Sequence, residues 1–468
     1  MNIVKRFRQN NTNDPHLLGR GDIKKLLFQY SLPAIMGMVI TSLYHIVDSI
    51  FIGHGIGALA ISGLAVTFPI MNIMAAFSTL IGIGGATLTS IRLGEKDEQG
   101  AQSILGHVAI LNTVNAAVLG GVTYIFLDPI LRLFGASDIL LPYARDFMSV
   151  YLLGTPVIFV FIGLNNIMRV TGYPKKAMMS SFITVIVNII LAPIFIFALQ
   201  WGMKGTAFAT VLSQVVGLVW VLAHFSDGKS FIRFGKGFHR LSTKTTMAML
   251  AIGLSPFLIN LSSSLVVSVI NIDLMRYGAE MAVGAYGIIN RVVFLFVMIV
   301  IGLTMGMQPI VGYNFGARKL DRAFRALKYT IAGGVAVTTF GFLLSELFPG
   351  YIVRMFTTNQ ELIDISVRGL RIIMAMFPLA GAQIVISNFF QSVGKAKISI
   401  FLSLTRQLIF LLPFLLILPH HFGLDGVFGS LPAADAVAFT VTIFTLIYQL
   451  RKIEKDFGVS LLKPKVRT

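Results

Sequence analysis

Cysteine is absent from this chain, which excludes a disulfide framework and any thiolate metal site. Charge is scarce: Asp, Glu, Lys and Arg make up 12% of 468 residues, against 55% hydrophobic ones. That is too little to clothe a soluble globular surface of this size. Acids are scarcer than bases, 20 against 38. No P-loop of the GxxxxGKS or GxxxxGKT kind occurs, so the chain has no recognisable ATP motor of its own. The apolar stretches do not alternate in polarity as the strands of a membrane barrel do.

What the sequence does have is a series of apolar runs of about 20 residues or more, separated by short polar loops. This pattern reads as an all-α polytopic membrane protein. Twelve spans are expected, near residues 24–53, 61–92, 101–127, 140–169, 177–199, 205–225, 245–276, 283–315, 323–348, 362–390, 398–418 and 426–450. Most Lys and Arg fall in the termini and alternate loops, at 5–25, 92–96, 169–176, 229–244, 318–328, 395–397 and 451–467. Cytoplasmic segments carry such a bias, so the net charge of +18 reports topology rather than nucleic-acid binding. Both termini are expected in the cytoplasm. The first 22 residues are polar, and the first span is expected to act as its own insertion signal.

A linker rich in Gly, Lys and Arg divides the spans six and six. The expected organisation is an N-terminal cytoplasmic segment (1–23), an N-lobe (24–225), the linker (226–244), a C-lobe (245–450) and a basic tail (451–468). The halves repeat. Ser31-Leu32-Pro33 answers to Leu254-Ser255-Pro256, Gly55 to Gly278, and the Gly94 turn with its charged loop to the Gly316 turn. Six spans per half return the chain to the same side, so the halves are parallel repeats about a pseudo-two-fold axis along the membrane normal. A cavity is expected between them.

Asp48 lies inside the first span. At helical spacing Gly37, Thr41, Tyr44 and Asp48 share one face. Such an acid either pins helices through a buried partner or serves as a proton or cation site in a transport pathway. Its counterpart in the second half is Asn271, with Asp273 turned roughly 200° away at 100° per residue. The acidic site is therefore expected in the N-lobe.

Further residues carry two readings each. Asn165 and Asn166 either line the cavity or tie helices together. Met36 and Phe68, with Met38, Met71, Met74 and Phe77, offer an adaptable apolar surface to varied compounds, or are plain core and lipid-facing residues. Arg406 and Asp435 both fall near mid-depth and can pair, with Arg291 as a competing partner; the pair is structural, or it takes a substrate or coupling role. Gly82, Gly84 and Gly85 lack the context of a dinucleotide loop and mark a flexible or closely packed point. His420 and His421 have no further ligands nearby, so no metal site is expected beyond a possible Na+ at Asp48.

The eighth span ends Gly306-Met307-Gln308-Pro309-Ile310-Val311-Gly312-Tyr313-Asn314-Phe315-Gly316-Ala317. This resembles the signature of the multidrug and toxic compound extrusion (MATE) family of secondary transporters. Residues 44–53, 169–174, 188–193, 205–210 and 423–434 agree, in order and at the right spans. The resemblance implies a V of two six-helix lobes and no enzyme activity or cofactor. It implies export of amphipathic or cationic organic compounds and drugs, driven by inward H+ or Na+, and the expected location is a bacterial inner membrane; two lobes in one chain suffice for a monomer.

The resemblance also implies an N-lobe cation site. Asp48, Asn188 and Thr210 match its ligands, with Tyr44 on the same face as Asp48, but Ala192 stands where the family has a second acid. Ser262-Ser263-Ser264 stand where one branch carries a Glu. A site with one carboxylate suits protonation better than tight Na+ binding, so H+ is favoured. Asn271, Asp273, Arg291, Gln308, Arg406 and Asp435 are the polar candidates of the C-lobe. A flippase for lipid-linked saccharides is the rival within the superfamily; it would need several cavity cations, and only Arg291 and Arg406 are obvious. A membrane enzyme acting on lipid or prenyl substrates would need a His, Asp or Glu cluster near one interface, which the sequence lacks.

Overall fold

Helices begin where the sequence supplies a cap. Asp22 accepts from the Lys25 N–H at 2.9 Å, Asp97 from Gly100 at 2.8 Å and Asn359 from Leu362 at 3.1 Å, each satisfying an otherwise orphan donor of a first turn. The computed structural model describes residues 15–134, 136–227, 230–235, 241–356 and 359–457, with backbone alone at 15, 41–47, 49–50, 53–54, 58, 61–62, 65, 279–280 and 456–457. Among the described residues there is no strand. The long helices are α1 (Ile23–Gly55), α2 (Ala58–Gly94), α3 (Glu98–Ile125), α4 (Leu141–Val170), α5 (Pro174–Ala198) and α6 (Gly202–Ser226). Then follow α7 (Thr243–Gly278), α8 (Met281–Gly316), α9 (Leu320–Leu347), α10 (Gln360–Met374 and Phe377–Ser392, bent by 51°), α11 (396–422) and α12 (424–457).

Two of these boundaries rest on geometry. Residues 396–455 form a 60-residue helical stretch, too long to cross once, and the backbone breaks at Gly423 (φ 57°, ψ −132°). Arg406 Nε meets Asp435 Oδ1 at 2.5 Å, a contact impossible unless the chain folds back between them. Similarly, Gly253 packs on Leu80 and Gly316 on Ile91, both on α2, so the helical run 243–316 must also reverse. Among the described residues the spans therefore number twelve, and the chain is a multi-pass membrane protein. His420 and His421 lie at the end of α11 rather than in a loop, because helical geometry persists to the residue before Gly423.

The internal repeat is visible in the backbone. Lys96 (φ 63°) and Arg318 (φ 56°), each two residues beyond the matching Gly94 and Gly316, are both left-handed. Gly172 (φ 104°) and Gly394 (φ 75°) make the matching turns after α4 and α10.

The three largest apolar cores explain the shape. One combines residues of both halves, among them Leu27, Leu88, Leu105 and Leu164 with Met249, Val311, Leu327 and Phe389. All lie toward the end where the basic loops gather. The other two are private. Ile52, Met74, Leu131 and Phe159 belong to the N-lobe, and Ile270, Ile289, Phe377 and Phe428 to the C-lobe. Two six-helix lobes thus share a core at the basic end and part at the other, forming a V.

Small residues make the shared end close-packed. Gly302 sits against Ile35 and Gly306 against Ser31, while Ser31 Oγ donates to the Leu303 carbonyl at 3.2 Å. Gly84 meets Met249, as expected of a closely packed point. Residues 15–21 are strapped beneath: Asn314 Nδ2 donates to Leu18 O at 2.8 Å, Arg322 Nη2 to Gly21 O at 2.5 Å and Lys319 Nζ to Gly19 O at 2.9 Å. His16 Nδ1 lies 3.0 Å from the Tyr313 hydroxyl.

Candidate functional site

The N-lobe candidate lies where α1, α5 and α6 meet. Asp48 is 7% exposed, Asn188 2%, Thr210 9% and Ala192 0%. Asn188 Nδ2 donates to Thr210 Oγ1 at 3.4 Å, whose own hydroxyl donates to Thr206 O at 3.1 Å. Gly55 of α1 abuts Ile196 and Phe197 of α5, and Phe51 packs with Ala192 and Ile196. Seven residues below Gly55 is Asp48, and eight below Ile196 is Asn188; at 1.5 Å per residue along two parallel helices the two stand within about 2 Å of the same height. Asp48 Oδ1 is buried with no hydrogen-bond partner among the described residues. The side chains of Thr41 and Tyr44 lie outside the described residues. Among the described residues, one carboxylate, one amide and one hydroxyl are thus buried at a similar height where three helices meet, a set able to take up a proton or hold a small cation.

The C-lobe candidates separate into three groups. Arg406 and Asp435 form an ion pair with side-chain exposures of 30% and 4%. Arg406 sits in a π-helical stretch, Thr405–Leu411. Beside it Gln407 Nε2 donates to Ser263 Oγ at 2.9 Å, joining α11 to α7. Arg291 is exposed and makes no ion pair among the described residues, so Asp435 belongs to Arg406 alone. Gln308 Nε2 donates to Thr87 Oγ1 at 2.7 Å, which places it in the seam between lobes rather than in the cleft. Asp273 is half-buried, near Arg276 and His420.

Asn165 is a correction to the cavity expectation. Its amide donates to Ser180 Oγ at 2.7 Å and Ala177 O at 3.2 Å, tying α4 to α5. Its neighbour points about 100° away: Asn166 accepts from Arg169 Nη1 at 3.2 Å, and Arg169 reaches Met305 Sδ of α8, below the cleft. Met36 (47%) and Phe68 (41%) are exposed, whereas Met74 is core. Phe77 stacks edge-on against Phe257 of the other lobe with centroids 4.8 Å apart, forming the cleft floor.

Above that floor lies a row that sequence reasoning does not assemble, although Asn271 is among its C-lobe candidates. Asn260, Ser264, Ser268 and Asn271 of α7 fall within about 60° of the face on which Gly253 touches α2. Their offsets of four, eight and eleven residues carry the signal, which the Ser262-Ser263-Ser264 run obscures. Among the described residues no cluster of three metal-ligating side chains occurs.

A family model described as MatE matches residues 33–194 and 241–417. The chain belongs to the MatE family. As a MatE member it is a transporter and not an enzyme. It is 29% identical over 431 residues to the multidrug export protein MepA of Staphylococcus haemolyticus, covering 92% of this chain and 94% of that one. Among solved structures it is similar to the MATE multidrug transporter DinF-BH in complex with R6G, at 36% identity and a TM-score of 0.86, covering 94% and 98% of the two chains. A multidrug resistance MATE family transporter of the MOP superfamily in its outward-facing conformation is 25% identical with a TM-score of 0.88, covering 94% and 98%. The MatE fold thus places both lobes and the cleft in a known architecture.

Proposed function

We propose that this MatE transporter is a secondary active multidrug exporter that exchanges amphipathic or cationic organic compounds for H+ by alternating access. It resides as a monomer in a bacterial inner membrane with both termini cytoplasmic. The observation that carries the reading is Asp48, a buried carboxylate in an N-lobe pocket where the neighbouring Ala192 supplies no second acid. With one hard anionic ligand the pocket is poor for Na+ but complete for a proton. The names of the relatives, multidrug export protein and MATE multidrug transporter, support the cargo class.

The shared core closes the basic end while the lobes part at the other, which is the outward-open state of this cycle. A proton entering from outside neutralises Asp48. Charged and neutral carboxylates prefer different surroundings, so protonation biases α1 between two packings around Pro33 and Gly37, and cargo leaves outward. Gly37 has open space beside it, which gives the helix room to bend.

The test is efflux of a fluorescent cationic dye from proteoliposomes under an imposed pH gradient or an imposed Na+ gradient, for wild type and Asp48→Asn. The pH gradient should drive efflux and the variant should abolish it. Efflux driven by Na+ alone rejects H+ coupling, and a fully active variant removes Asp48 from the mechanism. No dye movement under either gradient favours the lipid-linked saccharide flippase.

A further inference from the structure

Arg291 sits about 15 Å into α8 from Met281, near mid-membrane by the helical rise. Its face is fixed by contacts lower on the same helix. Gly302 touches Ile35 of α1, and Arg291 lies eleven residues away, three turns and about 20°. It therefore projects toward the N-lobe across the cleft, not into lipid, and is too far from either end to snorkel out along its stem. Counting upward from the contacts at Gly302, Ile35 and Phe257, Arg291 and Ser268 stand about 16 Å above the floor, and Asp48 about 20 Å.

The neighbouring wall suits that charge. Asn260, Ser264, Ser268 and Asn271 form the cleft face of α7. Ser264 and Ser268 now donate to carbonyls four residues back, at 3.3 and 3.0 Å, bonds that a hydroxyl can exchange for a ligand. The described acids of the C-lobe nearby do not face Arg291: Asp435 is held by Arg406, and Asp273 is turned about 200° from Asn271, toward Arg276 and His420. An exposed guanidinium at mid-membrane with no ion-pair partner among the described residues is costly and marks a functional site by default.

We propose that Arg291, with Ser268 and Asn271, forms an oxyanion subsite on the C-lobe wall that binds a carboxylate, sulfonate or phosphate group of an amphipathic cargo. The N-lobe then handles the proton and the C-lobe the cargo's negative group, so the exporter accepts anionic and zwitterionic amphipaths as well as cations. This deepens the exporter reading and rests on it for the word cargo. A planar guanidinium flanked by neutral donors is the usual means of holding such a group.

The test uses two rhodamines with one chromophore, an esterified cationic dye and a sulfonated anionic one. Binding to the purified full chain is measured by fluorescence polarisation for wild type, R291Q and R291K, and transport is followed in proteoliposomes. The sulfonated dye should bind wild type, weaken about tenfold or more in R291Q and far less in R291K, while the cationic dye is unchanged or tighter. A cationic dye that binds beside a sulfonated dye that does not, or equal weakening of both dyes in R291Q, overturns the subsite. Should R291Q fail to fold, R291K and wild type decide: raised salt must loosen the sulfonated dye selectively, and its failure to do so also overturns the subsite.

A short-chain phosphatidylglycerol competitor separates the two sources of the oxyanion. Displacement of the dye assigns the subsite to a lipid headgroup, and indifference assigns it to a free organic anion. Sulfonated dye bound normally while no dye moves under any gradient rejects the exporter reading and leaves the subsite standing.

Discussion

The Gln308 amide donates to the Thr87 hydroxyl at 2.7 Å across the seam between the two lobes. Around this bond Gly302, Gly306 and Gly316 bring α8 against the backbone of α1 and α2, and Gly312 sits against the Ser90 side chain of α2. No side chain larger than hydrogen fits at these points without a shift. The seam must part if the basic end is ever to open.

A cysteine pair tests that requirement, in a chain with no native cysteine to interfere. A Cβ at Gly312 would lie 2.7 Å from the Ser90 Cβ, so a small relaxation reaches the roughly 3.8 Å of a disulfide. Oxidised Ser90→Cys/Gly312→Cys should lose nearly all export, and a reductant should restore it to the level of the single variants. Undiminished transport by the oxidised form would mean that the seam does not open.

Ala192→Asp adds the missing acid to a fully buried position beside the Asp48 pocket. The variant should gain a Na+-specific stabilisation of about 2–3 kcal/mol when Na+ is near a hundredfold its dissociation constant. Melting in NaCl against KCl reads this directly. Equal responses in parent and variant would show that acid count does not set the ion.

Asp435→Asn strands the Arg406 guanidinium and should destabilise the C-lobe by about 3–5 kcal/mol, toward the lower figure because Arg406 keeps some solvent. Asp435→Asn with Arg406→Gln together should be milder than Asp435→Asn alone. Thermal unfolding of the four proteins in one detergent closes the cycle. Additive losses would show that the two residues do not act as a pair.

Arg322→Ala removes donors to Leu18 O, Gly21 O and Asn314 Oδ1. Each hydrogen bond to a charged group contributes about 1.5–3 kcal/mol, so amide exchange over residues 15–21 should quicken tenfold or more. Exchange mass spectrometry of this segment measures it. Unchanged protection would show that burial of Leu18 suffices to hold the strap.

The twelve spans and the six-and-six division were legible because a bilayer imposes one length on every crossing and a basic bias on alternate loops. The matched turns at Lys96 and Arg318 followed from the repeated Gly-plus-charge pattern. Side-chain partners were less legible. Depth alone left Asp435 between Arg406 and Arg291, and the π-helical stretch that turns Arg406 toward it leaves no periodic mark in sequence. Asn165 and Asn166 look alike in sequence, yet a turn of about 100° sends one to Ser180 and the other toward α2. The cleft row on α7 is hidden in sequence because Ser264 sits within a triplet whose other members face elsewhere.

The shared core has a thermal consequence. Opening the basic end wets the apolar surface of the shared core while the two private cores stay covered, so that step carries a positive heat-capacity change, whereas parting the lobes at the far end only exchanges cleft water. Apolar burial weakens on cooling. The closed basic end should therefore loosen in the cold, and the ratio of the two access states, set by one feature of packing, becomes a property that growth temperature can tune.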